Sequence, residues 1–500
     1  MMISVKAAFR SGGIRRFVVR GTVTSLIAII AVKSLGLLES IAVGRILGSY
    51  QYGLLALVLS VTNLVLAIGT FGLPAALIKF LSGNVRRKEA AKGTILLAFR
   101  TCTVTSILVG ASSVIIVMNL VEPNYADGNL QTLLGLGILM VTVSAPLALF
   151  GSALQGLGRV AALNLRTMLA SAIGFALAVP LALVLGTPGA LAAFIGGTAL
   201  VGVLSFPAVR NNVEALDGAP EVASVPLKAL IDYGVPTLFS GLVVLFAFYW
   251  VNSLMATGPG FADLGVFAVA STLASGIALL PSSVGIPLVP VLSSLSLSDP
   301  GRGQAVVSRV MRLVIFISVP IVVVGICFAR EIIELTYGHE FVEGSPFLSI
   351  LALSSLFVAV SGVVGNQIAG VGKMWWSLTI NLIWSGIVGI VSFALIPRFG
   401  GAGASVAILT GYSILTVVAM AVGRRVLEVR LDSVGGPAMW GASFVVCALI
   451  AAFFGGEWRV LAGASLFTLA LISLAFLLNP DERSLVKELP VILGIKRKPR

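Results

Sequence analysis

Apolar runs long enough to cross a membrane recur from one end of this sequence to the other, and no other feature constrains its fold as tightly. A span needs about 20 mostly apolar residues to cross the ~30 Å hydrocarbon layer. Within that layer every backbone N–H and C=O must find its partner inside the protein, a condition that helices meet locally. The short alternating strands of a membrane barrel do not occur. Runs fall near residues 18–42, 53–78, 94–118, 131–152, 162–185, 189–209, 229–255, 264–292, 310–330, 346–369, 375–396, 402–422, 437–455 and 459–478. The expected class is an all-α, polytopic membrane protein with fourteen transmembrane helices.

Charge supports the count. Only 11% of residues are charged, against roughly 25% in an ordinary soluble domain. The net charge of +13 would suggest nucleic acid as partner of a soluble protein, but the basic residues sit in short loops. Topology accounts for them, and nucleic acid is not an expected partner. Of the 33 Lys and Arg, those in the N-terminal arm, the even-numbered loops and the tail fall on one side. Arg45, Arg330, Arg398 and Arg459 fall on the other, and Lys33 and Arg100 lie within helices. The positive-inside rule then puts both termini in the cytoplasm of a multi-pass cell-membrane protein. The basic N-terminus lacks a small-residue cleavage pattern and reads as a retained first helix.

An internal repeat appears at an offset of 212 to 214 residues. Gly53 matches Gly265, Gly72-Leu73-Pro74 matches Gly285-Ile286-Pro287, and Gly156-Leu157-Gly158-Arg159 matches Gly370-Val371-Gly372-Lys373. Six spans per half is an even number, so the halves are parallel repeats. The expected shape is two six-helix bundles around a central cavity, residues 1–210 and 229–425, joined by a cytoplasmic linker at 211–228. Helices 13 and 14 (426–479) and a basic tail (480–500) follow.

The segments GRILGSYQYGLLALVLS (44–60), FGLPAALIKFL (71–81), the GLGR turn and YGHEFVEGSPFLSILALSSLF (337–357), in that order, resemble the oligosaccharide, or O-antigen-type, flippases. That family belongs to a superfamily of multidrug, oligosaccharidyl-lipid and polysaccharide exporters that also holds the lipid II flippases. The resemblance implies alternating access, with a lipid-linked saccharide moved from the cytoplasmic to the outer leaflet for polysaccharide biosynthesis. It also implies membrane lipid, glycosyltransferases and a polymerase as partners.

Lys33 lies well inside the first helix, where a charge costs roughly 2.5 to 3.5 kcal/mol on insertion scales. At 100° per residue Thr22, Ser25, Gly36 and Ser40 fall within about 80° of it, a polar stripe on an apolar helix. The stripe is a candidate cavity lining, with Lys33 a point charge for a phosphate or pyrophosphate. Snorkelling, or pairing with Glu39, is the competing explanation. Arg100 and Arg166 are candidates for a cationic vestibule or for snorkelling at the interface. Asn63 suits a sugar hydroxyl or a neighbouring helix. Pro74, Pro180, Pro236, Pro281, Pro287, Pro290 and Pro320, in or near spans, favour kinks. Tyr249, Trp250, Trp375 and Trp376 fit an interfacial aromatic belt.

Other chemistry finds little footing. The glycine turns lack the full P-loop pattern, and neither the three cysteines nor His339 among Glu331, Glu334, Glu340 and Glu343 makes a metal site. No catalytic residue, cofactor or metal is expected, and the chain does not read as an enzyme. A multidrug cation exporter, a lipid II flippase and, more distantly, a membrane glycosyltransferase or polymerase stay open. An exporter of cations calls for acids deep in helices, and Glu39, Asp232 and Glu331 read as lying near helix ends.

Overall fold

The computed structural model describes residues 12–83, 88–120, 128–216, 225–285, 300–371, 374–426, 435–454 and 456–477. Among them the chain is almost wholly helical and holds no strand. The first half consists of α1 (Gly12–Thr70), α2 (Leu73–Gly83), α3 (Lys88–Leu120), α4 (Gly128–Gly156), α5 (Val160–Leu185) and α6 (Thr187–Glu214). The second consists of α7 (Leu227–Thr257), α8 (Phe261–Gly285), α9 (Pro300–Cys327), α10 (Ala329–Thr336), α11 (Ser345–Val371) and α12 (Met374–Val426). Finally come α13 (Gly435–Phe454) and α14 (Arg459–Leu477).

Among the described residues, eleven helices are long and apolar enough to cross a membrane. Two of these are double: α1 breaks at Gly48 (φ 73°, ψ 175°) and α12 at Gly400 (φ 53°, ψ −131°), backbone angles that only glycine reaches without strain. With the shorter apolar α14 the crossings among the described residues number fourteen, the number read from hydropathy. The protein is a multi-pass membrane protein.

The halves meet chiefly where α1 packs on α8 and α7. Small residues permit the approach, because helices in lipid gain from close van der Waals contact. α13 and α14 pack on α9 and on each other, with Gly441 against Val319 and Gly463 against Cys327. A second apolar cluster, including Leu73, Leu77, Leu149 and Leu230, ties α2 to α4 and α7.

Two expectations are corrected. The second span is not one helix over 53–78: Phe71 (φ 50°) and Gly72 (φ 70°) turn the chain, and α2 begins beyond them. Any side chain at Gly72 would overlap the carbonyl of Gly234, so the turn is set by contact with α7. Pro74, the second residue of α2, therefore sits where its missing N–H has no partner to lose and kinks nothing. α7 continues to Thr257, two turns beyond Trp250. Pro287 and Pro290 lie outside the described residues.

Candidate functional site

A cavity of about 410 Å³ lies between the halves, where both segments of α1 face α7 and α8. Its lining repeats the internal symmetry. Gly36 and Phe248, Ser40 and Asn252, Ala56 and Ala268, Ser60 and Thr272 are four pairs, each separated by 212 residues, and all eight residues line it. Asn63 adds a carboxamide and Tyr52 a phenol. No charged side chain is in the lining, and its polar groups are hydroxyls and carboxamides, which both donate and accept hydrogen bonds. Gly36 keeps the wall thin, since a Cβ there would meet nothing within 4 Å.

Beside the cavity, sharing Ser40 and Tyr52 with its wall, lies a network centred on the break in α1. The Ser40 hydroxyl is hydrogen-bonded to those of Tyr52 (2.5 Å) and Tyr337 (2.7 Å), which lie on opposite halves. The Tyr337 and Phe341 rings meet edge to face at 5.7 Å. Arg45 donates from Nε to the Thr336 carbonyl (2.5 Å) and from its terminal nitrogen to that of Leu335. The Glu340 carboxylate accepts the Ser49 N–H at 2.6 Å, beside Gly48. Thus α10 and the 3₁₀ turn His339–Gly344 of the second half clasp the α1 corner of the first. Elsewhere between the halves Gly72 meets Gly234, and the Lys79 ammonium lies 3.8 Å from the centroid of the Tyr233 ring, within cation–π range.

Of the residues singled out from the sequence, Ser40 and Asn63 come together at this cavity. Asn63 is exposed, facing the open space. Lys33 is exposed too but is not in the wall; it stands one turn before Gly36, within about 20° of Ser40 around the helix. Thr22 belongs to α1, but its side chain lies outside the described residues. Arg100 sits apart, exposed between Leu96 and Val104, which are 44% and 57% exposed one turn to either side. It belongs to the outward apolar face of α3. Arg166 donates to the carbonyls of Leu204 on α6 (2.9 Å) and Ala162 on its own helix (2.8 Å), a brace between helices.

Asn252, Thr272, Tyr52 and Tyr337 escaped the sequence reading. The repeat carried a signal for two of them, since the 212-residue offset from Ser40 and Ser60 lands on Asn252 and Thr272. Glu39 is a correction. Because α1 runs on to Gly48, Glu39 is well within the first crossing; it is buried, its Oε1 makes no hydrogen bond, and its Oε2 lies towards Gly174 of α5. The remaining acids of the 331–343 stretch are dispersed. Glu331 pairs with Arg459 at 2.5 Å, while Glu334 lies 3.5 Å from the exposed His339. No metal-binding cluster occurs among the described residues.

The sequence pattern of the family described as "Polysaccharide biosynthesis protein" matches residues 42–346. The chain belongs to this family. The chain is 25% identical over 397 residues to an uncharacterized membrane protein of Methanocaldococcus jannaschii, MJ1375, covering 75% of the present chain and 91% of that protein. Two shorter matches are a second uncharacterized membrane protein of that organism, MJ1068 (27% identical; 27% of each chain), and the capsular polysaccharide biosynthesis protein CapF of Staphylococcus aureus. The CapF match is 29% identical and spans 29% of this chain and 37% of CapF. In architecture the protein is similar to the lipid II flippase MurJ in an inward closed conformation, with a TM-score of 0.69 at 13% identity over 89% of this chain and 97% of MurJ. It is also similar to a MOP superfamily transporter from Pyrococcus furiosus, at a TM-score of 0.60 and 16% identity, over 82% of this chain and 96% of that one. At these identities the likeness is one of fold alone.

Proposed function

We propose that this membrane protein is a flippase that carries a saccharide linked to a polyprenyl phosphate or pyrophosphate from the cytoplasmic to the outer leaflet. The carrying observation is the cavity between the halves, walled by repeat-related pairs of hydroxyl and carboxamide side chains with no charge among them. Sugar hydroxyls need partners that both donate and accept, and leaving them unpaired on removal from water costs about 1–3 kcal/mol each. A symmetric neutral wall meets that need from both halves at once. Lys33, one turn from the cavity, is the group assigned to the phosphate, and alternating closure of the two ends of the cavity moves the headgroup. Membrane topology follows the charge distribution, with both termini cytoplasmic and Gly48 at the outer face.

Proteoliposomes test this directly. A polyprenyl-linked saccharide, its sugar labelled with a fluorophore, is placed in both leaflets and quenched from outside by dithionite. Near-complete quenching with the protein and half-quenching without it is the expected pair of results. Half-quenching in both would sink the flippase reading.

One observation favours a second reading. The buried Glu39 carboxylate suits an ion-coupled exporter of organic cations, which is expected to hold acids within its helices. Glu39 lies against α5 and outside the cavity wall, so it leaves the cavity without the negative charge a cation needs.

A further inference from the structure

On the far side of α7 from the cavity lies a larger hollow of about 870 Å³, open along the outer surface of the bundle. α7 is shared between the two spaces: Phe246, Ala247 and Trp250 face the groove, while Phe248 and Asn252 face the cavity. α1 divides in the same way, with Asn63 on the cavity and its neighbour Leu64 on the groove. The third wall is the first segment of α12, where Gly386 and Gly389 leave the floor bare, and a Cβ at either would meet nothing within 4 Å. Leucine or isoleucine at those positions would fill the trough. Its one hydroxyl, on Ser385, is already bonded to the Val243 carbonyl at 3.0 Å, and apart from the Trp250 indole N–H the lining side chains are apolar.

We propose that this groove holds the isoprenoid tail of the substrate while its saccharide occupies the cavity on the other face of α7, an inference that rests on the flippase reading above. An apolar wall in contact with lipid selects a hydrocarbon chain, and two features select a polyprenyl chain over an ordinary acyl chain. The rings of Phe246 and Trp250 stack on one another, 24° from parallel with centroids 6.5 Å apart, a rigid aromatic pair at the groove against which isoprene units make dispersion contact. The double bonds and branch methyls of an isoprenoid also stiffen it, so it loses less rotational freedom on binding than a saturated chain. The division of α7 and α1 between the two spaces adds a geometric reason. A tail held in the groove keeps its phosphate beside the α1–α7 seam, and only the headgroup has to pass that seam to enter the cavity.

The test is photo-labelling of the full-length protein in nanodiscs. One probe is a polyprenyl phosphate carrying a diazirine in its tail, and the other is phosphatidylglycerol carrying a diazirine in an acyl chain, at equal mole fraction. Mass spectrometry maps the adducts. The expected result is labelling of 242–250 and 382–393 by the polyprenyl probe at roughly tenfold the level of the acyl probe, lowered to that level by Gly386→Leu. Equal labelling of the unaltered protein by both probes would mean annular lipid only and would overturn the proposal, as would polyprenyl adducts concentrated on α13 and α14. The mapping reads where the tail binds and does not depend on Gly386→Leu folding. Selective groove labelling in a protein that fails the dithionite assay would count against the flippase reading and leave the groove standing.

Discussion

Gly53 and Gly265 occupy matching places in the two halves of the chain and meet each other at the join between them. A side chain on Gly53 would overlap the carbonyl of Phe261, and one on Gly265 that of Ser49. The contact thus joins two positions without side chains, related by the 212-residue offset, near the break in α1. Two helices crossing there backbone to backbone can rock about the contact without dragging side chains past one another.

Alanine at either glycine forces the crossing apart. Gly53→Ala and Gly265→Ala should each cost about 1–3 kcal/mol, as overpacked sites do, seen as a lowered unfolding temperature in detergent. The double variant should cost less than the sum, because both relieve strain at one contact. Two neutral variants would rule out so close a crossing.

Tyr337→Phe deletes one hydroxyl from the network beside the cavity, where Ser40 bonds both Tyr52 and Tyr337. The loss should be about 0.5–1.5 kcal/mol. It should also loosen the wall there, raising the outside-added maleimide labelling of Ser60→Cys. Unchanged labelling would show that the network does not restrict access to the cavity.

Arg166→Gln should lower thermal stability by about 1.5–3 kcal/mol, the range for hydrogen bonds made by a charged group, and leave substrate affinity alone. Weaker substrate binding with unaltered melting would return this arginine to the substrate path.

Glu39→Gln keeps the shape of a buried carboxyl and removes its charge. Flipping of a lipid-linked saccharide should survive it, because Glu39 is not in the cavity wall. Loss of transport together with loss of its response to an imposed ion gradient would favour the ion-coupled exporter.

The all-helical fold and its apolar spans were legible because hydropathy is written locally in the chain. The 212-residue offset that pairs Gly53 with Gly265 also pairs Ser40 with Asn252. What depends on distant contact was not legible. Tyr337 reaches Ser40 across 297 residues, and Arg166 finds its acceptor on α6. Helix ends misled in a definite way: apolarity fades near residue 42, but the helix persists to Gly48, and Glu39 consequently moves from a helix end to a buried site. The groove beside α7 was invisible for a similar reason, since bare glycines on α12 become a floor only when α7 and α1 supply the walls.

The most direct measurement of the central claim is the membrane face on which lipid-linked saccharides accumulate in cells lacking this protein, with rescue by the intact chain compared with rescue by Lys33→Ala and Lys33→Arg. Cytoplasmic-face accumulation, reversed by the intact protein and largely by Lys33→Arg but not by Lys33→Ala, is the result expected of a flippase that holds a phosphate at this cation. Unchanged sidedness in the protein's absence, in cells shown to have no second flippase for the same saccharide, would contradict it.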